Sequence, residues 1–534
     1  MNTLPEDFFQ APLDFKKFEI FKTEEEETFL TFMGVTYPLR GSEFVKLLNH
    51  LHYSLNEFFP SKGIVHEIID NLDMHATLYA PVKPVYYRFA KLENVVYIDL
   101  GNTKFEVVEI TGDNYRVITN PPVKFVRSKI QRAIGAPDIK GLAKDLRLLM
   151  KYIPFKAEED FILFASWLLS CMNTEGGYPP LFLIGEQGSA KSTTTEFIKD
   201  LLDDSTVPLR NLSKSMKNLM IAASNDFILC YDNISKITDK QSDNICKLAT
   251  GAGFTTRTLY TTTEETQLTC KRPTIINTIS FIPTRQDLLD RSVIVKLNFI
   301  KPEERKTVKE LKESWKKDRP LIFGALCNAV SAALKNYDQV DEEKLPRMAD
   351  FAKWIIAAEE QLPWNKGLFL ETLQNSRANT VDDTIDAEPV AIAILKLMAD
   401  SDSWHGTASE LLDKLEDCIN QKKNKYPNWP KLPNQLSRKL GRVSAFLREK
   451  GVQVEKGHSG NRFIDISNLN PEVPENNQNP AGMDVNEKRM QDVRETLPVT
   501  PQLPETINSY EKEAKNNESH TLVETELVSD ETDF

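Results

Sequence analysis

The stretch Leu181-Phe182-Leu183-Ile184-Gly185-Glu186-Gln187-Gly188-Ser189-Ala190-Lys191-Ser192 constrains this chain more than any other. Four apolar residues closed by a glycine suit a buried parallel strand. Beyond it, Phe197, Ile198, Leu201 and Leu202 fall at helical spacing between Thr193 and Leu202. Between strand and helix lies a near-match to G-x-x-x-x-G-K-[ST]. In that pattern, backbone N–H groups of the loop and the helix N-terminus converge on a polyphosphate. The expected binding residues are Gly185, Glu186, Gln187, Gly188, Ser189, Ala190, Lys191, Ser192 and Thr193. Lys191 would reach the β- and γ-phosphates, and the Ser192 hydroxyl would ligate Mg²⁺. Ala190 stands where the second glycine is usual, and it fits if its φ is negative.

The segment from 136 to 300 alternates helices with apolar strands, the pattern of an α/β domain with its ligand at the strand C-termini. Phe227 to Tyr231 forms a strand ending at Asp232, 41 residues after Lys191. A carboxylate there can hold Mg²⁺ directly or through water. The next residue is Asn233, which orients a water but cannot take its proton. Asp232 would then serve both purposes, or Glu186 would help. Thr274 to Ile276 leads to Asn277, an amide placed to bridge a water and a γ-phosphate. Asp290-Arg291 precedes the strand Ser292–Leu297. Arg291, with Arg285 as the competing choice, could face a neighbouring subunit's nucleotide and stabilise transition-state charge. Two β-forming runs around residues 255–272 read as a hairpin with an acidic tip. Arg257, Lys271 and Arg272 on its arms are the expected DNA contacts, with a purely structural insert as the alternative.

The net charge of −12 conceals an asymmetry. From Ser467 to the end there are 15 acidic and 5 basic residues, whereas Gln421 to Arg462 holds 11 basic and 2 acidic. The second stretch closes a region, 389–466, that reads as three helices and a two-stranded wing. Arg438, Lys439, Arg442 and Arg448 on the third helix, with Lys456 and Arg462 on the wing, are its expected DNA contacts. The tail is read as disordered, with its acidic tip a possible partner contact or a solubilising segment. The remaining expectations are an α+β module over 1–80, a β-rich subdomain over 81–135, a helical lid over 301–365 and a polar linker over 366–388. The lid would comprise helices 306–317, 321–334 and 346–362. Six scattered cysteines form neither a disulfide framework nor a zinc site, which suits a reduced, cytosolic protein.

Taken together, Gly-Glu-Gln-Gly-Ser-Ala-Lys-Ser, Tyr231-Asp232-Asn233-Ile234-Ser235, Leu248-Ala249-Thr250-Gly251, Arg272 to Asn277 and Thr284 to Arg291 resemble a known family. They are similar to the AAA+/superfamily 3-like ATPases of phages and other bacterial mobile elements, closely over about residues 85–365 and on through 347–351 into 404–412, more thinly before residue 80 and not at all after 466. The resemblance implies a P-loop AAA+ core with a helical lid, ATP and Mg²⁺ as ligands, and a hexamer with ATP between subunits. It implies Lys191, Ser192, Asp232 and Asn277 acting in cis, Arg291 in trans, and a pore hairpin moving on a DNA strand. Ala190 and Asn233 are familiar variants there. The activity implied is that of a DNA-stimulated replicative helicase. An ATP-gated DNA-binding loader or regulator is the rival expectation, and a scaffold with a degenerate site the third.

Overall fold

The computed structural model describes residues 18–140, 145–251, 254–257, 265–268, 270–279, 285–341, 345–419, 426, 429–459 and 461–469. The acidic segment from 470 on and the hairpin tip at 258–264 therefore lie outside the described residues. Among the described residues, no helix is long and apolar enough to cross a membrane.

At the centre is a four-stranded parallel sheet: Leu229–Tyr231, Thr274–Thr278, Leu181–Ile184 and Val293–Lys296, in that spatial order. The strands are short and almost wholly apolar because both faces are covered. Leu181, Leu183, Ile275, Ile276, Val293 and Val295 are all buried. The order places the strand ending at Asn277 between the loop strand and the strand leading to Asp232. A single parallel bridge, Arg210 to Tyr231, continues the sheet beyond its outer strand.

The helix Glu158–Ser170 packs behind the sheet with all but its first two residues buried. The lid differs from expectation. Its first two expected helices are one, Val308–Asn336, which runs through Pro320. An interior proline costs about 3 kcal/mol. The helix nevertheless buries Trp315 before it and Ile322, Phe323 and Leu326 after it, each contributing roughly 1.5–3 kcal/mol. Trp315 stacks on Phe197 of the loop helix, centroids 4.6 Å apart, and its indole N–H donates to Asp200 at 2.7 Å. The stretch 366–388, expected as a linker, contains the helix Leu368–Ala387. Its polar surface hides a stripe of Phe369, Thr372, Thr380, Val381 and Ile385 that faces inward.

Three sheets precede this core, one of them only the short parallel pair Val85–Tyr86 and Lys124–Phe125. Phe18–Lys22, Thr28–Phe32 and Val35–Pro38 form an antiparallel sheet backed by the helices Ser42–Asn56 and Lys62–Tyr79. Phe89–Leu92, Val95–Asp99, Val107–Ile110 and Tyr115–Ile118 form a meander. At the other end come the helices Pro389–Ala399, Ala408–Cys418 and Pro433–Glu449, then the antiparallel pair Val452–Ser459 and Asn461–Asn468. A third strand, Ser403–Gly406, joins that pair. The second strand of the pair also carries regular structure past 467, where the tail had been expected to begin.

Candidate nucleotide and nucleic-acid sites

The loop Gly185–Ala190 joins the central strand Leu181–Ile184 to the helix Lys191–Leu202. Gly188 has φ 90°, a left-handed conformation suited to glycine. Ala190 does not have the negative φ that its fit seemed to require. It is left-handed as well, at φ 57° and ψ 25°. An L-residue there carries about 1–2 kcal/mol of strain, which the surrounding loop and helix must hold in place. The Lys191 ammonium lies on the loop itself, donating to the Gly185 carbonyl at 2.7 Å and the Glu186 carbonyl at 2.8 Å. Burial holds it below the usual lysine value, against the opposing pull of Asp232. Glu186 and Gln187 are exposed, and Thr193 is half-buried.

From the loop a chain of side chains crosses the strand ends. The Ser192 hydroxyl donates to Asp232 Oδ2 at 2.9 Å. The Asn277 amide donates to Asp232 Oδ1, also at 2.9 Å. The Thr195 hydroxyl lies 3.1 Å from Asn277 Oδ1 and 3.0 Å from the Lys191 carbonyl. Asn277 and Thr195 are fully buried, so their polar atoms depend on these partners. The structure thus brings together Lys191, Ser192, Asp232 and Asn277. Thr195 was missed in the sequence. Its signal is a hydroxyl four residues after Lys191, on the helix face turned toward the sheet. Asn233 is exposed and left-handed at φ 56°, a conformation asparagine tolerates better than glutamate would.

The arginines expected to act between subunits are engaged within the chain. Arg291 pairs with Asp287 at 3.3 Å, and Arg285 with Asp243. Arg347 holds Asp287 at 2.5 Å and Asp290 at 3.1 Å, and Arg377 reaches Asp290 at 3.0 Å.

Of the expected hairpin arms, Phe254–Arg257 pairs antiparallel with Glu265–Leu268, Arg257 standing opposite Glu265. The Arg257 side chain lies outside the described residues. Arg272 is not on an arm. Its guanidinium donates to the Ala223 carbonyl at 2.8 Å and covers the rings of Tyr87 and Phe227, so it ties the segment before the meander to the core. Lys271 is likewise outside the paired strands and donates to the Glu175 carbonyl at 2.8 Å.

On the C-terminal module, Gln435, Arg438, Lys439 and Arg442 follow helical i, i+3, i+4, i+7 spacing on Pro433–Glu449. With Trp429, Pro430 and Lys431 they line a cleft of about 460 Å³. Arg438 and Arg442 are exposed, while Lys439 is half-buried and pairs with Glu388 at 2.8 Å. Arg448 is exposed near the far end of the helix, away from the cleft, and Arg462 is exposed on the strand pair. Lys456 reaches back to the Ser437 carbonyl.

With this geometry in place, the relatives can be compared. Residues 146–387 match the family of replication proteins of actinomycete integrative conjugative elements. Residues 390–481 match the RepA C-terminal domain of the same elements. The chain is thus similar to a mobile-element replication protein, and the boundary between the two matches falls where the helix Leu368–Ala387 gives way to Pro389–Ala399. No curated protein matches the chain. Among solved structures, the apo C-terminal region of NrS-1 is 11% identical over 85% of this chain and 96% of that one, with a TM-score of 0.37. The JCV helicase is 12% identical over 41% of this chain and 66% of that one, with a TM-score of 0.21. At those scores neither likeness bears on function.

Proposed function

We propose that this chain is an ATP-hydrolysing, DNA-stimulated motor that acts as a hexameric replicative helicase of a mobile element. The observation that carries the reading is the chain Ser192–Asp232–Asn277–Thr195 at the strand ends beside a phosphate-binding loop. The similarity to mobile-element replication proteins sets it in a biological class.

The donor set fits Mg-ATP. An exposed glycine loop opens a helix, an ammonium lies on it, and a hydroxyl and a carboxylate stand 2.9 Å apart beside it. Mg²⁺ would be held by Ser192 and Asp232, and when bound it supplies charge neutralisation for phosphoryl transfer. Lys191 would exchange its two carbonyl partners for phosphate oxygens. Asn277, pinned by Thr195 and Asp232, presents a fixed amide and so orients rather than abstracts. The backbone N–H groups at the start of Lys191–Leu202 add the positive end of the helix dipole. The P-loop fold is read as the AAA+ type, with Val308–Asn336 and Ala349–Ala358 as its lid. The C-terminal helices and strand pair are read as a winged helix that binds duplex DNA.

Measured ATP hydrolysis with and without single-stranded DNA, alongside size-exclusion chromatography with ATP, tests this reading. We expect DNA-stimulated turnover that Lys191→Ala abolishes, and an assembly larger than a monomer. A monomeric profile with no stimulation would sink the helicase reading. Hydrolysis insensitive to DNA, together with intact duplex binding, would favour the loader.

A further inference from the structure

The chain leaving the fourth sheet strand returns over the phosphate-binding loop. The Leu297 N–H donates to the Ile184 carbonyl at 2.7 Å, and the Ile300 N–H to the Gly188 carbonyl at 3.3 Å. The next residues turn tightly. A 3₁₀ turn over Pro302–Glu304, closed by the Glu304 N–H on the Lys301 carbonyl at 3.0 Å, brings Arg305 back above Phe299. The guanidinium lies over the ring, its carbon 5.5 Å from the ring centroid. Both lie against the loop. A Cβ built on Gly188 would stand 3.1 Å from the Phe299 ring and 3.3 Å from Arg305 Nη2.

Arg305 has donors to spare. Its Nε donates to the Ile300 carbonyl at 3.3 Å, which uses one of five N–H groups. Among the described residues it is in no ion pair. Phe299 is 46% exposed, so the ring and the guanidinium above it stay open to solvent. A cation without a counter-ion, set by an aromatic face against a loop whose N–H groups converge on anions, is a ready anion contact.

We propose that Arg305 is a phosphate-contacting residue of the nucleotide site, acting in cis, and that Phe299 is the positioning residue that holds it over the loop. This rests on the loop being an ATP site. The bland rival is a surface arginine resting on a surface ring.

Binding of ATP, ADP and AMP with Mg²⁺ to the full chain, by calorimetry, separates these. Arg305→Ala is expected to weaken ATP by roughly tenfold or more, ADP less and AMP least, with an unchanged melting temperature. Arg305→Lys should recover part of the loss, and Phe299→Ala should show a smaller loss with the same order among nucleotides. Equal ATP affinity in Arg305→Ala and the native protein, while Lys191→Ala loses ATP, would overturn the assignment and leave the nucleotide site standing. Equal losses for all three nucleotides would also overturn it, because the contact would then not be to the distal phosphates. If Lys191→Ala binds ATP as the native protein does, the parent reading fails and takes this one with it.

Discussion

Ala190 and Asn233 flank the candidate catalytic centre, and both have left-handed backbones. Glycine is free of the steric cost that alanine carries at that φ, though it adds entropy to the unfolded chain. Ala190→Gly is therefore expected to be neutral or to stabilise by up to about 1 kcal/mol, and Ala190→Val to cost more than about 1 kcal/mol. The shift of the urea midpoint at constant slope measures both. Asp160 sets a second residue-scale expectation. Its carboxylate accepts from the Lys296 N–H at 2.6 Å and the Ala157 N–H at 3.1 Å, tying a core helix to the sheet. Burial nevertheless pushes it up to about 6, the backbone donors offsetting only part of that. The folded state then binds a proton between about pH 4 and 6 that the unfolded chain has released, so this group's contribution falls as pH rises through that window. Asp160→Asn should flatten that segment of the stability–pH curve; an unchanged slope would count against the assignment.

At the scale of one element, the helix Pro433–Glu449 holds its cations in different surroundings. Its apolar face, Leu436, Leu440, Val443 and Leu447, is buried in the module. Lys439 is spent on Glu388, leaving Arg438 and Arg442 as exposed charges at the cleft. If both meet phosphates, Arg438→Ala and Arg442→Ala should each weaken duplex binding across sequences. Each should also lower the slope of log K against log salt by about 1. Lys439→Ala should leave that slope unchanged and lower stability instead. The reverse result would mean that the ion pair opens on DNA.

Across the molecule, a buried charge network ties Arg88, at the start of the meander, to the core around the helix Lys191–Leu202. Arg88, 1% exposed, pairs with Asp203 at 3.2 Å; Lys199 holds Asp203 at 2.9 Å and Asp226 at 3.0 Å; Arg210 closes on Asp226. Desolvation opposes both charges, but Asp203 and Asp226 raise the Lys199 ammonium above its usual value, and Lys199 and Arg88 draw the Asp203 carboxylate below its own. The Asp203 contribution is complete above the unfolded carboxylate pKa and is lost as pH falls through the depressed folded value. The Lys199 contribution is complete below the unfolded lysine pKa and is lost as pH rises through the raised folded value. Lys199→Met removes the cation that Asp203 and Asp226 share, leaving each with one arginine, and should cost about 3–5 kcal/mol, read as a lowered urea midpoint. A change below about 1 kcal/mol would mean that water reaches the site.

What the chain's order of residues determined was local. The strand, loop and helix that carry Lys191 and Ser192 were legible because a glycine-closed apolar run followed by helical periodicity is written into neighbouring residues. The three helices expected within 389–466 were legible for the same reason, apolar periodicity among neighbouring residues. Tertiary structure decided what depends on distant partners. It placed the Asn277 strand between the other two, carried one helix through Pro320 and folded 366–388 on a stripe that needs a core to bury against. It spent Arg272 and Lys439 on the protein itself and set Arg305 over Gly188. Backbone hydrogen bonding and side-chain period act over a few residues. Strand order, ion pairing and burial act between segments far apart in the chain, where spacing carries no distance.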